Sequence, residues 1–406
     1  MNIADPSALR ECTSCQLCAA VCPHKAIEIK IDASGFYRPT VINSKCVNCG
    51  FCTKVCYKYD DKPAFSFSVS IQKKKLFSAW AKDEVVLKNT TSGGVGDLLA
   101  HALQGEGYSV AGVVYDTTDD KAKHRIADSN EDLLFFRGSK YIQSYTLDVF
   151  KKIVQECKNT KWAVFGTPCQ IYALNRFVEH KNVRDNFLFV DIFCHGCPSF
   201  MLWRKYIDFL KHKKGVSDYD SIFFRSKAKG WGNYCIVAKE SNKIVYRSSL
   251  RNDPFYELFF SDSILNDACY NCLFRESLEY TDIRLGDFWG EKYIGNHKGV
   301  SAVCISSDKG NSIFNKVKEN IVFEEGNLSE LLKYQRWGKR YSQDIHIRNE
   351  LLNTLSDENA SILDAVTTLR GRQKLVGRLK RHVKSFIYLF PPFVANLVKR
   401  SIYLFH

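Results

Sequence analysis

The chain has 406 residues, enough for two or three domains, and its 45% apolar and 25% charged content excludes an intrinsically disordered protein. The formal charge is +14, yet no apolar run reaches the roughly 18 residues of a membrane span, so no transmembrane helix is predicted. Sixteen cysteines, eight of them within the first 56 residues, predict metal-binding thiolates in a reducing cytoplasm rather than a secreted disulfide scaffold. Met1 to Arg10 is polar and carries no signal-peptide core.

The first motif is Cys12-x2-Cys15-x2-Cys18-x3-Cys22-Pro23, and the second is Cys46-x2-Cys49-x2-Cys52-x3-Cys56. A cubane 4Fe–4S cluster needs four thiolates converging on one small object. Three closely spaced cysteines wrap one cluster, and the fourth points back to the other. The spacing thus assigns Cys12, Cys15, Cys18 and Cys56 to one cluster and Cys46, Cys49, Cys52 and Cys22 to the second. Zinc is the competing guest, but zinc ligands usually come as separated pairs. Between the motifs, alternating residues around Ser34-Gly35 read as a hairpin. Residues 1–60 resemble a bacterial two-cluster ferredoxin, with Tyr57 where the second motif usually has proline.

After a linker over 61–80, strand-length apolar runs alternate with helical patterns. Segments 107–116, 161–166 and 186–193 read as buried strands, and 96–105, 145–157, 169–180 and 199–212 as helices. A hairpin is expected around Ser241-Asn242, a strand–helix–strand unit over 300–324, and helices over 328–335 and 341–355. The fold class expected is an α+β ferredoxin-like domain, then an α/β domain with a mainly parallel sheet, then a helical basic tail. That tail, 370–406, holds nine of the basic residues and no Asp or Glu. Its mixture of cations and aromatics suits an anionic membrane surface. A helix docked on the body with a solvated basic face is the plainer reading. Nothing in the chain resembles a nucleic-acid-binding motif, so no nucleic-acid partner is expected.

Chemistry concentrates where strands end. Thr91-Ser92-Gly93-Gly94 precedes a helix, Gly166-Thr167-Pro168-Cys169-Gln170 opens another, and Cys194-His195-Gly196 follows a strand. With RGSKYIQS (137–144), FCHGCPS (193–199), FRSKAKGW (224–231), CYNC (269–272) and DIRLGDFWG (282–290), these motifs resemble the coenzyme F-420 hydrogenase/dehydrogenase beta-subunit family over roughly residues 75–325.

The resemblance implies an oxidoreductase that binds FAD beside an additional 4Fe–4S cluster. Thr91, Ser92, Gly93, Gly94 and Lys140 are then the candidates for the flavin diphosphate, with Thr167 and Gln170 close to the cofactor. Cys169, Cys194, Cys269 and Cys272 supply the number of thiolates a third cluster needs, with Cys197 as a substitute for Cys194. Cys157, Cys235 and Cys304 fit plain buried thiols better. His195 is a candidate proton donor, or a contact to a cluster sulfur. Lys227 is a candidate catalytic residue, and with Arg225 and Lys229 it could hold an anionic substrate or form an ordinary solvated loop. Asp287 and Trp289 receive no role.

The implied domains are 1–60 (two clusters), 61–80 (linker), 81–160 (flavin-binding), 161–325 (flavin, cluster and substrate), 326–369 (helical extension) and 370–406 (tail). The expected function is electron passage between ferredoxin-type clusters and FAD, acting on an organic substrate or a deazaflavin coenzyme. Ferredoxin or another redox protein is the expected partner. The alternatives are a non-catalytic electron-transfer subunit of a larger hydrogenase or dehydrogenase, a reductase in surface-polysaccharide synthesis, or a membrane-surface protein whose redox centres are structural. A cytoplasmic location is expected, with attachment at the inner face of the membrane as the variant that the tail suggests.

Overall fold

The computed structural model describes residues 1–60, 74–216, 218–337 and 340–372. The N-terminal domain pairs strands Ile27–Ile31 and Tyr37–Val41 as an antiparallel hairpin. Gly35 turns it at φ +82°, and a Cβ there would run into Ser199 Oγ. That closeness is functional for packing: Ser199 Oγ donates to Ser34 O (2.7 Å) while accepting from Met201 N (3.2 Å) at the start of helix Phe200–Lys214. The two domains are therefore joined at this turn.

A nine-stranded sheet forms the body, in the spatial order 321–325, 75–81, 301–305, 283–287, 187–192, 162–165, 109–116, 121–126 and 144–145. Its middle, from 283–287 to 109–116, is parallel. The flanks are not. Strands 321–325, 75–81, 301–305 and 283–287 pair antiparallel in succession, as do 109–116 and 121–126. The sheet is mixed, which corrects the expectation of a mainly parallel one. The apolar run of a strand reports burial on both faces, and the direction of its neighbour leaves no local mark. Strand Lys75–Ala81 also begins inside the stretch expected to be linker.

Both faces of the central strands are covered. Trp162, Val164, Phe187 and Phe189 pack on one side with helices Leu147–Glu156 and Pro168–His180. Ala163, Leu188 and Val190 pack on the other with helices Val95–Gly105 and Asp308–Val317. The first of these cores also takes in Ile3, Leu17, Val55 and Tyr57, so the N-terminal domain shares it. A separate core joins helices 200–214, 254–259, 345–356 and 362–372 to a three-stranded sheet of 221–226, 235–240 and 243–249.

Helix Ile362–Arg372 takes in the first residues of the basic tail, where Arg370 pairs with Glu257 (2.7 Å) and Arg372 with Glu350 (2.9 Å). Residues 373–406, and with them the membrane-surface reading, lie outside the described residues. Among the described residues no helix is long and apolar enough to cross a membrane.

Candidate functional site

Two cavities of matched size lie in the N-terminal domain. Cys22, Cys46, Cys49 and Cys52 line the first, and Cys12, Cys15, Cys18 and Cys56 the second. Short helices Leu17–Ala20 and Phe51–Lys54 set this arrangement, each entered through a left-handed residue, Gln16 (φ 64°) and Gly50 (φ 76°). Four thiols around a cavity of this kind suit a cubane rather than a single ion. Among the described residues no three His, Cys, Asp or Glu groups converge closely enough to hold one metal ion.

The two cavities differ in surroundings. Cys49 is exposed at the first. The second is turned into the protein, and burial pushes the Cys15 thiol up to about 11 in the metal-free chain. Tyr57, in the place of the usual proline, is buried there; its hydroxyl donates to Glu11 O, and its ring meets Phe274 edge-on at 5.0 Å. Gln16 Oε1 accepts from Thr146 N and Leu147 N (both 3.0 Å), capping a helix of the body from within the cluster-binding loop.

A third group of cysteines lies at the carboxyl ends of neighbouring parallel strands 162–165 and 187–192. Cys169 opens the helix after the first, and Cys194 and Cys197 follow the second. Helix Asp267–Tyr270 brings Cys269 up so that Cys197 N donates to its sulfur (3.4 Å), and Cys272 follows. Burial pushes Cys194 up to about 11, against the pull of the Arg275 guanidinium, and Cys269 up to about 12. Arg275 donates to Cys269 O (2.8 Å) and His195 O (3.3 Å), placing a cation beside these thiols. Such a charge suits a thiolate-bound cluster. Tyr57 lies within electrostatic reach of Cys12 and Cys56 of the second group and of Cys169 and Cys272 of the third. Cys157, Cys235 and Cys304 are buried elsewhere, in helix-end and strand positions.

His195 Nε2 bonds Asp262 Oδ1 (2.7 Å), and its ring packs 4.9 Å from Phe259 and 5.6 Å from Tyr341. Asp262 also takes Arg336 at 2.8 Å. The imidazole is thus engaged in an aromatic and ionic bracket around the third cysteine group.

The other candidates meet around the Thr91–Gly94 turn, and most are engaged within the fold. Thr91 Oγ1 accepts from Ser139 N (3.0 Å), Ser92 Oγ donates to Val300 O (2.8 Å), and Gly93 N donates to Ser301 Oγ (3.0 Å). A Cβ on Gly93 would run into Ala79 O, so that glycine serves strand packing. Gly94, at φ +83°, enters helix 95–105. Lys140 Nζ donates to the carbonyls of Phe135, Phe136 and Arg137 (3.0–3.1 Å). Lys227 Nζ donates to Ser92 O (2.8 Å) and to Leu87 O and Lys298 O. Burial pulls their ammonium groups down to about 7 and about 8.

Gln170 Oε1 accepts from Thr167 N (2.9 Å) and its Nε2 donates to Ser144 Oγ (3.0 Å), so both ends of the amide are used. Thr167 Oγ1 lies 3.3 Å from Cys169 Sγ.

The structure separates Arg225, Lys227 and Lys229. Arg225 is buried against Asp287 and over the rings of Tyr234 and Trp289, while Lys229 is exposed. Asp287 also accepts from Trp231 Nε1 (2.7 Å), and Trp231 stacks on Trp289 at 4.1 Å. Arg225 Nε and Nη2 have no hydrogen-bond partner among the described residues.

One pair was absent from the sequence reading. Arg284 and Asp191 form a fully buried bidentate ion pair (2.8 and 2.6 Å) between adjacent strands. Arg284 also donates to Arg275 O (3.0 Å), Phe274 O (3.3 Å) and Tyr280 Oη (2.9 Å), fixing the segment after Cys272. The available signal was a charge inside each of two otherwise apolar strands.

Residues 11–58 match a 4Fe-4S dicluster domain. Residues 76–151 and 159–330 match the N-terminal and C-terminal regions of the coenzyme F-420 hydrogenase/dehydrogenase beta subunit. The coenzyme F-420 hydrogenase subunit beta of Methanococcus voltae is 26% identical over 64% of this chain and 86% of its own length. An uncharacterised protein of Methanocaldococcus jannaschii is 28% identical over 77% of this chain and 89% of its own. A chain of the F-420-reducing NiFe hydrogenase complex from Methanosarcina barkeri superposes with a TM-score of 0.45 at 20% identity, covering 73% of this chain and 91% of that one. Two adjoining matches to one family, in order and spanning most of the body, make this chain a member of the coenzyme F-420 hydrogenase/dehydrogenase beta-subunit family with a 4Fe-4S dicluster domain at its N-terminal side.

Proposed function

We propose that this protein is an oxidoreductase that moves single electrons inward through the dicluster domain to an FAD-dependent site acting on an organic substrate or a deazaflavin coenzyme. The observation that carries this reading is the sequence of three cysteine groups. Cys22, Cys46, Cys49 and Cys52 lie outermost. Cys12, Cys15, Cys18 and Cys56 lie against the body. Cys169, Cys194, Cys269 and Cys272, with Cys197 at hand, lie within it, and Tyr57 packs on Phe274, two residues past Cys272. In this reading each quartet holds one 4Fe–4S cluster.

Around Thr91–Gly94 the support for an FAD diphosphate is charge at a distance, since Lys140 and Lys227 each spend three N–H donors on backbone carbonyls. Both are held this way rather than ion-paired, and the eleven-residue helix 95–105 starts at the turn. Bound flavin would supply the exchange between one- and two-electron chemistry. The chain itself orients the site: Gln170 fixes Thr167 beside Cys169, Asp262 and Arg336 hold His195 in place, and Asp287 anchors Arg225 and Trp231. His195 then acts as a positioning residue for the third cluster.

Anaerobic reconstitution tests the reading. About twelve iron atoms and one acid-released FAD per chain are expected. Iron unchanged in both Cys169→Ala and Cys272→Ala would remove the third cluster. No flavin after incubation with excess FAD would leave an electron carrier serving a separate catalytic subunit.

A further inference from the structure

The dicluster domain presents its two cysteine quartets to different media. Cys12, Cys15, Cys18 and Cys56 face the body, with Cys18, Val55 and Tyr57 in the shared core. In the other quartet Cys49 is exposed, Cys22 and Cys46 are half-buried and Cys52 is buried, and the residues beside them are basic. Lys25 follows the cavity-lining His24, Lys45 precedes Cys46, and Lys54 lies two residues past Cys52; all three lysines are exposed. Lys181 reaches in from the end of helix 168–180, with its ammonium 4.9 Å over the Phe51 ring.

Among the described residues no carboxylate lines this cavity. The nearby acids are engaged: Glu28 pairs with Lys30 (3.1 Å), and Glu179 accepts from Asn175 Nδ2 (2.8 Å). Between Cys46 and Cys49 stands Val47, 61% exposed, an apolar contact among these charges. A small apolar centre ringed by one sign of charge is how transient electron-transfer partners recognise each other. The charge orients and speeds encounter, and the contact stays small enough to release.

We infer that this rim is the docking face for a small acidic carrier protein that exchanges single electrons with the cluster at Cys22, Cys46, Cys49 and Cys52. The inference rests on the cluster assignment above. One electron passes from the reduced carrier to the oxidised cluster; no bond forms or breaks, and no proton is required. Lys25, Lys45, Lys54 and Lys181 pair with carboxylates of the carrier, and Val47 and the exposed edge of Cys49 mark the point of transfer.

The test is stopped-flow bleaching of the cluster absorbance in the reconstituted full chain. The reductants are a pre-reduced acidic two-cluster ferredoxin and, separately, dithionite. With ferredoxin, the second-order rate is expected to fall about tenfold or more as salt rises from roughly 10 mM to roughly 300 mM. The triple variant K25E/K45E/K54E is expected to lose at least about tenfold at low salt, with iron content and dithionite reduction unchanged.

A salt-independent ferredoxin rate overturns the docking face, as does a variant equal to wild type; in either case bleaching by dithionite leaves the cluster assignment standing. A chain that reconstitutes without iron overturns the assignment and the docking face together. A variant that loses binding to phosphatidylserine vesicles but keeps its ferredoxin rate would give the lysines to a lipid surface, and the inference would fall.

Discussion

Replacing Asp191 by Asn should be among the most damaging single substitutions in the body. The Asp191–Arg284 pair is fully buried, with both guanidinium contacts under 3 Å, at 2.8 and 2.6 Å. Asn keeps the shape and removes the charge, leaving a buried guanidinium without a counterion. Loss of one partner of such a pair costs about 3–5 kcal/mol. Arg284 retains Arg275 O, Phe274 O and Tyr280 Oη, which soften the loss, so the expected cost is about 3 kcal/mol, at the lower end of that range. With a urea slope of about 3 kcal/mol/M, the midpoint moves down by about 1 M. Anaerobic urea titration followed by tryptophan fluorescence reads this directly. The double variant Asp191→Leu/Arg284→Met removes both charges and should recover much of the loss, because the penalty belongs to the unpaired ion rather than to a missing attraction. A single variant costing under about 1 kcal/mol would refute the reasoning, as would a double variant no better than the single one.

Three further outcomes are expected. Cys22→Ala and Cys46→Ala should each remove the same cluster, and Cys12→Ala and Cys56→Ala the other, about four iron atoms each; electron paramagnetic resonance of the reduced variants identifies the survivor, and a shared signature for Cys22→Ala and Cys12→Ala would refute the crossed assignment. Burial pulls the His124 imidazole down to about 4. The unfolded chain, titrating near 6.5, therefore binds more protons below that value, so stability is full above about pH 6.5 and falls toward pH 4 by up to about 3 kcal/mol. His124→Leu should flatten that fall in pH-dependent melting of the apo chain, and equal slopes would count against it. Gln16→Ala strands Thr146 N and Leu147 N in a buried site, which should cost about 2 kcal/mol in the same melting assay; an unchanged midpoint would mean that the cap carries no energy.

What could be read from the sequence was what is local. The cysteine spacings had structural content because three residues per step leave few ways to wrap a cavity. Helix starts at Val95, Pro168 and Phe200 followed from their turn residues and apolar spacing. Strand direction could not be read, because 283–287 carries no mark of being parallel to one neighbour and antiparallel to the other. Strand 75–81 sat next to a stretch without clear periodicity and passed as linker. At the candidate site, residue type pointed to charge but not to its use. Lys140 and Lys227 looked like anion ligands, and the fold sets each of them on three backbone carbonyls. Nothing in the sequence pairs Arg284 with Asp191, and only the sheet register sets them side by side.

The burial of Gln16 and Tyr57 against the body has a kinetic consequence. A carrier domain on a flexible tether finds its acceptor at millimolar effective concentration and must search for the right orientation each time. Here the cap on the helix at 147 and the ring against Phe274 remove both the search and the concentration term. In the proposed function, transfer across this junction would be a property of a fixed geometry, indifferent to dilution, viscosity and ionic strength. On that reading, any dependence of turnover on those variables would arise at the solvent-facing end of the proposed centres, or at the substrate.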